Sequence, residues 1–248
     1  MLFGTETIGG YNPVQLLRYW IFVRASQHAD LRYNRALFPN PPPVALDLLQ
    51  VRYAISLGTD PPFEGARMLA TQGPWGLWEL AQATPRVQVV GDWRVVGSSQ
   101  KALDAVLAPG FDPSTQVVLE TDPHLGTPSG GSGAATYRAT SDQSALIGVD
   151  APVPSVVLVR TPYEKRWRAS VDGRPARVLP ADYLDQGIPV PPGHHTIVLS
   201  YLDPTIGHAL VGSGLIIALL LGAALALRRG GRPRQDQGVA EGGRAEAA

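Results

Sequence analysis

The most constraining feature of the sequence is one long uncharged stretch near its carboxyl end. Residues 209–227 are all aliphatic apart from glycines and a single serine. As an α-helix, a stretch of this length spans about 28 Å, close to the ~30 Å hydrocarbon core of a bilayer. The alternative is a core helix of a globular domain, but such helices are rarely apolar on every face over this length. The stretch therefore predicts a transmembrane helix over residues 206–227.

The arginines that follow this stretch set its expected orientation. Arg228, Arg229, Arg232 and Arg234 come directly after the apolar residues, and clustered arginine beside a span marks the cytoplasmic side of a membrane. Residues before about 205 are therefore expected on the extracytoplasmic face of a cell membrane. The polar segment 228–248 is expected to be a disordered cytoplasmic tail.

Export of the residues before 205 requires a signal sequence or an earlier membrane helix. The first residues lack a basic segment followed by an apolar one, and the apolar run at 16–23 is short and lies between Arg18 and Arg24. We therefore expect either a fragment of a longer polytopic protein or a start codon placed inside a larger gene.

Small residues recur every fourth position along the predicted membrane helix, at Gly214, Ala218, Gly222 and Ala226. Such a stripe allows a second helix to approach closely, although glycine and alanine are also common in membrane helices generally. The expected partners are thus the lipid bilayer and other transmembrane helices of a parent or partner protein.

Composition excludes several classes of function. The formal net charge is zero, whereas a nucleic-acid binder needs a basic surplus to displace counterions. The chain has no cysteine, which excludes disulfides, thiolate metal sites and cysteine nucleophiles. Frequent glycine and proline favour a turn-rich β architecture over a helix bundle.

The part before the membrane helix divides into three stretches of different character. Residues 1–125 show mixed α and β patterns, residues 126–135 (GTPSGGSGAA) have the composition of a flexible linker or long loop, and residues 136–205 show β patterns. The expected fold is mainly β with an α+β N-terminal part. It forms an antiparallel β-sandwich-like extracytoplasmic domain followed by a single transmembrane helix.

Local patterns predict individual elements. Apolar and polar residues alternate over residues 166–172, and Asp172-Gly173 is the composition of a tight hairpin turn, because glycine adopts positive φ easily. The predicted helices span residues 14–25, 44–49 and 99–107. The predicted strands outside the hairpin span residues 51–57, 87–90, 93–96, 116–120, 156–161 and 196–201.

The sequence contains few patterns that indicate catalysis. His194 and His195 are adjacent, so in a strand they point to opposite faces and a structural role is favoured over a shared metal. Asp182 and Asp185 are expected in an exposed loop around Tyr183, where acids are usually only solvated; a hydrolase using them is a remote third possibility. Residues 130–133 resemble a phosphate-binding loop but lack its lysine. No catalytic, cofactor-binding or metal-ligating residue is predicted.

Aromatic residues suggest one binding alternative. Trp75, Trp78, Tyr53 and Trp93 lie in the same half of the chain and could stack on a sugar ring. Aromatic residues in a β domain more often form the core, so we interpret these four side chains as core residues in preference to a sugar site.

The end of the chain contains an ordered pattern: Trp167-Arg168-Ala169-Ser170-Val171-Asp172-Gly173, then Pro191-Pro192-Gly193-His194-His195, then Tyr201 and the apolar helix. With this pattern the chain resembles the YfhO-like family of bacterial membrane proteins, whose localisation in the bacterial cell membrane is then expected here too. That family closes with a strand of the form Gly-Trp-x-Ala-x-Val-Asp-Gly, a loop, Val-Pro-x-Gly-x-His and an aromatic strand before its last membrane helix. Two departures are Arg166, where the family usually has glycine, and Gln50, where it usually has a small residue. The matching structural signature in this chain is Trp167, Asp172, Gly173, Gly193, His195 and Tyr201.

The resemblance implies a parent protein related to GT-C glycosyltransferases, which use polyprenyl-phosphate sugars in cell-envelope glycosylation. It also implies that the catalytic acid lies in an early loop outside this chain, which is then an accessory domain and membrane anchor in contact with a lipid-linked sugar or envelope polymer. The alternative is an independent membrane-anchored carbohydrate-binding or scaffolding module without transferase activity. Residues that packing explains less well are candidate contacts with substrate or with the membrane portion: Tyr11, Asn12, Pro13, Arg18, Arg52 and Tyr53.

Overall fold

The structure is a computed structural model that describes residues 7–8, 16–27, 41–81, 83–202 and 204–230. In its last helix, side chains are described for residues 212–225 and 227. The chain forms two compact units, residues 1–202 and 203–248. The fold is mainly β, with a curled mixed sheet and a small antiparallel sheet, so the expected fold class is confirmed at this level.

The first unit contains most of the regular structure. Its helices are α1 (Leu17–Gln27), α2 (Pro43–Leu48) and α3 (Ser99–Val106). Its strands are β1 (Tyr53–Leu57), β2 (Arg67–Gln72), β3 (Trp75–Glu79), β4 (Val87–Val90), β5 (Trp93–Val95), β6 (Val117–Leu119), β7 (Ser132–Ser141), β8 (Ser144–Ala151), β9 (Ser155–Val159), β10 (Trp167–Val171), β11 (Arg174–Ala176), β12 (Leu179–Ala181), β13 (Asp185–Val190) and β14 (Gly193–Tyr201).

Eleven strands form one large sheet in the order β11-β10-β14-β8-β7-β4-β9-β13-β12-β6-β5. Every neighbouring pair is antiparallel except β5 with β6, which is parallel, so the predicted all-antiparallel arrangement is wrong at this edge. Ile147 of β8 and Ile197 of β14 share one buried cluster with Val157 of β9 and Ile188 of β13. Because these two pairs of strands are separated in the sheet order, the sheet must curl to bring them together.

The helices pack against the end of this sheet that contains β6. Phe22 of α1, Leu48 of α2 and Leu103 of α3 form a second buried cluster that includes Val118 of β6. Its neighbours Val117 and Leu119 belong to a third cluster, as expected for a strand whose successive side chains point to opposite faces. The helix α3 begins at an N-cap, where the hydroxyl of Ser98 accepts a hydrogen bond from the amide of Lys101.

The hairpin predicted at Asp172-Gly173 is confirmed. Val171 of β10 pairs directly with Arg174 of β11, which leaves two residues in the turn. Their φ angles are 51° and 77°, as a type I′ turn requires at both central positions. The twist of this turn matches the right-handed twist of the strands, and its positive φ explains the preference for glycine at the second position.

Residues 126–135, predicted as a flexible linker or long loop, are divided in the structure. Only residues 126–131 form a loop, and β7 begins at Ser132 and pairs with β4 through Val89 and Gly133. Strands from residues 1–125 and 136–205 therefore share one sheet, and this segment is not a domain boundary. A Cβ atom at Gly133 would lie 2.1 Å from the carbonyl oxygen of Asp150. Glycine is thus needed here for close strand packing rather than for flexibility.

The second unit contains one helix, α4 (Pro204–Gly230). The large side chains described along it are exposed, from Leu215 to Leu227. A search confined to the described residues identifies no helix with the length and apolarity needed to cross a membrane. A Cβ atom added at Gly214 or Gly222 would contact nothing within 4 Å. The side chain of Ala226 and the predicted tail at 231–248 lie outside the described residues.

We expect the variant Gly133→Ala to be destabilised by about 1–3 kcal/mol, since the new methyl group meets backbone and the γ-methyl of Val89. The neighbouring Ser132→Ala, at an exposed position, is the matched control and should change stability little. Urea unfolding followed by tryptophan fluorescence measures both. Equal stability of the two variants would contradict the close-packing role of Gly133.

Candidate functional site: an apolar sheet face beside an arginine cleft

The small sheet has the order β1-β3-β2 and exposes apolar side chains on one face. In its register, Ile55 lies opposite Leu77 and Leu57 lies opposite Trp75. Ile55 is 71% exposed, Leu57 66%, Tyr53 51% and Trp75 49%. We call this surface, formed by Tyr53, Ile55, Leu57, Trp75 and Leu77, the outer face. Scattered apolar residues on a surface are normal, but a contiguous set usually marks a contact with another molecule.

The reverse side of the same sheet contains the buried residues. Trp78 is buried, and its indole nitrogen donates a hydrogen bond of 2.8 Å to the hydroxyl of Ser56. A Cβ atom at Gly76 would lie 2.8 Å from this nitrogen, so glycine leaves room for the indole ring. Because Trp78 fixes which face is buried, the register of β1 and β3 directs the outer face away from the core.

An open cleft lies at one end of this sheet. It has a volume of about 510 Å³ and is lined by Arg52, Arg67 and Glu79 together with small residues near them. One carboxylate oxygen of Glu79 is 3.2 Å from Nη2 of Arg52, and the other accepts a hydrogen bond from Arg67. These bonds, first from Arg67 and then from Arg52, lower the pKa of Glu79. Two exposed guanidinium groups are thus held beside one carboxylate, and the local charge is positive.

The candidate contact residues do not form one site. Arg52 and Tyr53 lie at the cleft, where the guanidinium carbon of Arg52 is 5.3 Å from the centre of the Tyr53 ring. Arg18 instead donates hydrogen bonds to Glu120 and to the carbonyl oxygen of Tyr183, and its guanidinium group lies over the ring of Tyr163. Arg18 therefore connects α1 to the large sheet. Tyr11, Asn12 and Pro13 lie outside the described residues.

The signature residues lie together on two paired strands. Trp167 of β10 is opposite Tyr201 of β14, with ring centres 5.4 Å apart in an edge-to-face arrangement. Nδ1 of His195 is 2.7 Å from a carboxylate oxygen of Asp172, whose other oxygen accepts a hydrogen bond from the amide of Thr196. Gly173 forms the adjoining turn and Gly193 begins β14.

The hydrogen bond between His195 and Asp172 also changes the pKa values of both side chains. The hydrogen bond with Asp172 raises the pKa of His195, and the same bond lowers the pKa of Asp172. Nε2 of His195 also lies 3.0 Å from the carbonyl oxygen of Pro191. A protonated imidazolium donates to both acceptors, whereas the neighbouring His194 is exposed beside Asp150. The two histidines therefore have separate environments.

A buried charged cluster is the feature that sequence reasoning missed. Asp182 and Asp185 were expected in an exposed loop, but both are buried, as is Arg160. The amide of Val118 donates to Oδ1 of Asp182 over 2.7 Å, and the amide of Asp182 donates to the carbonyl oxygen of Val118. Asp182 thereby extends the pairing between β6 and β12. The available signal was Arg160, a charge placed directly after the wholly apolar residues 156–159.

Burial has the largest effect on the pKa values of the two acids in this cluster. Desolvation raises the pKa of Asp182 to about 7, and desolvation together with repulsion from Asp182 raises the pKa of Asp185 well above its usual value. Arg160 donates hydrogen bonds to the carbonyl oxygens of Pro85 and Pro113 and remains charged. Raised carboxyl pKa values can indicate catalysis, but neither acid lines the cleft, and burial keeps substrate away from both. The cluster is structural.

The aromatic residues proposed for sugar stacking separate into two groups. Trp78 and Trp93 are buried, whereas Tyr53 and Trp75 are exposed on the outer face. Among the residues that the structure describes, no group of three or more histidine, aspartate or glutamate side chains is placed to hold a metal ion. Comparison with known proteins gives no match to any protein family, characterised protein or solved structure.

We expect the free energy of unfolding to fall as pH rises from about 4 to about 7. A carboxyl group whose folded-state pKa is raised binds its proton more tightly in the folded chain, so stability is lost as pH rises from the unfolded pKa through the folded one. The slope is at most about 1.4 kcal/mol per pH unit for each proton. Denaturant titrations at several pH values measure it.

Asp185→Asn should reduce this slope, because one of the two buried titrating groups is removed. Asp142→Asn, which changes an exposed residue in the turn between β7 and β8, is the matched control and should retain the slope of the parent chain. A parent chain whose stability rises steadily over this range would contradict the buried, protonated state.

Proposed function

We propose that this chain is a membrane-anchored, extracytoplasmic accessory domain without a catalytic centre of its own. The observation that carries this proposal is the exposure of aliphatic side chains along α4. Leu215, Ile216, Ile217 and Leu219 are all more than half exposed, and consecutive helical positions step by about 100° around the axis. Large apolar groups therefore cover every side of the helix, which favours a hydrocarbon environment over water.

The charged residues at the two ends of the apolar stretch support an orientation. The sequence places Arg228 and Arg229 directly after the apolar residues and Asp203 before the helix. Arginine at one end of a membrane helix favours the cytoplasmic side. The β-rich unit, including the small sheet, is then on the outer side of the membrane.

The resemblance to the YfhO-like family supports a larger parent protein. The residues that carry the resemblance, from Trp167 to Tyr201, belong to strands that pair with each other, so the signature corresponds to one structural unit. Gly214, Ala218 and Gly222 offer a narrow stripe for packing against other membrane helices. In this proposal the parent acts in cell-envelope glycosylation from polyprenyl-phosphate sugars, and the present chain braces its membrane part.

We expect the double variant Leu219→Asp with Leu220→Asp to leave the membrane fraction. A charged residue at the centre of a membrane helix costs about 2.5–3.5 kcal/mol, so two should shift partitioning towards the aqueous phase by roughly a thousandfold or more. Flotation on a density gradient and extraction with alkaline carbonate measure the change.

Val95→Asp is the matched control for this experiment, because it introduces the same charge at an exposed apolar position of β5. It should float with membranes as the parent chain does. If the parent chain itself sediments without lipid, or if the double variant floats unchanged, α4 is not an anchor.

A second candidate function is carbohydrate binding by an independent membrane-anchored module. The observation that favours it is the open cleft lined by Arg52 and Arg67, where the guanidinium group of Arg52 also lies over the exposed ring of Tyr53. Guanidinium groups bind carboxylates in bidentate geometry, and aromatic rings stack on sugar faces.

Glycan-array binding by the detergent-solubilised full chain tests this second function. If it is correct, Arg67→Ala should weaken binding of acidic glycans at least about tenfold, the effect of losing roughly 1.4 kcal/mol. Arg138→Ala, which removes an exposed arginine of β7, is the control. Absence of glycan binding by the parent chain would leave only the accessory function.

A further inference from the structure

We propose that the outer face of the small sheet inserts into the headgroup region of an anionic lipid bilayer. This inference rests on the proposed anchoring by α4 and adds a second, separate membrane contact. In this arrangement Ile55, Leu57 and Trp75 enter the interface, while Arg52 and Arg67 contact lipid phosphates.

The first support is the chemistry of the outer face. Two strongly exposed aliphatic residues, Ile55 and Leu57, lie between two exposed aromatic residues, Tyr53 and Trp75. Tyrosine and tryptophan concentrate at membrane interfaces because their rings are apolar and their polar atoms remain hydrated. A protein ligand would also cover apolar residues, but the combination of flanking aromatics and basic side chains matches an interfacial membrane contact.

The second support is charge complementarity at the edge of this face. Glu79, which pairs with Tyr53 across the sheet, holds both Arg52 and Arg67. Their side chains remain 62% and 71% exposed, and one carboxylate cannot neutralise two guanidinium groups. The excess positive charge lies beside the apolar residues, as needed to meet anionic phosphate groups while the apolar residues enter the interface.

The third support is the shortness of the connection to the anchor. In the sequence only Leu202 and Asp203 separate Tyr201, the last residue of β14, from Pro204, the first residue of α4. The three Cα–Cα steps from Tyr201 to Pro204 extend at most about 11 Å. If α4 lies in the bilayer, the β-rich unit remains at the membrane surface, and its local concentration there favours even a weak lipid contact.

The absence of cysteine from the chain allows a direct test with single-cysteine variants. Leu57→Cys places an environment-sensitive fluorophore on the outer face, and Val198→Cys places it at an exposed apolar position of β14 as the matched control. The labelled full chain is reconstituted into vesicles of phosphatidylcholine with phosphatidylglycerol. We expect lipid-borne quenchers to quench the label at position 57 at least about threefold more than the label at position 198.

Charge reversal tests the role of the arginines. Arg52→Glu combined with Arg67→Glu in the Leu57→Cys chain should reduce quenching towards the control level, and so should vesicles of phosphatidylcholine alone. High salt should act in the same direction, since it screens the attraction to anionic lipid.

The outcomes separate this inference from the proposed function. If the chain does not float with vesicles, the anchor fails. If it floats but the label at position 57 is quenched only by aqueous reagents, the membrane contact of the outer face is wrong and the anchor stands. Dipolar coupling between spin labels at position 57 of two chains would instead identify a second copy as the occupant and overturn the lipid contact.

Discussion

The packing of β8 and β14 against β9 and β13 is the contact on which the rest of the fold depends. Ile147 and Ile197 on one side meet Val157 and Ile188 on the other, and this burial curls a single sheet into two opposed layers. Both faces of β9 are then buried, because Val156 and Leu158 enter a different cluster. The helices, the Asp182 turn and the Gly133 contact are all attached to strands whose positions this packing fixes.

Local structure was predictable wherever the sequence itself carried the constraint. The alternation through Trp167 and the turn at Asp172-Gly173 depend on neighbouring residues alone, and the capped helix α3 does too. The pairing of β4 with β9 joins residues such as Val89 and Val157 that are far apart in sequence, and no local pattern specifies it. The segment around Gly133 was misjudged because glycine needed for close packing and glycine in a flexible linker have the same composition.

The candidate site was predicted only in part, for two opposite reasons. Asp182 and Asp185 looked like solvated loop acids, because nothing in their neighbours revealed that Arg160 would lie close to them in the core. The outer face was not predicted, because Tyr53 and Trp75 were interpreted as core residues on the ground that aromatics in a β domain usually pack there. Only the three-dimensional position of Trp78 shows which face of the small sheet is covered. Arg52 and Tyr53 are both exposed, and their role as contact residues stays a prediction.

The position of β14 within the sheet has a mechanical consequence. This strand is paired on both sides, with β8 through eight residue pairs and with β10 through five, and it leads almost directly into α4. A pulling force on α4 therefore acts on a strand that can separate only when its hydrogen bonds to both β8 and β10 break together. An edge strand is hydrogen-bonded along one side only, whereas β14 is paired along both of its sides.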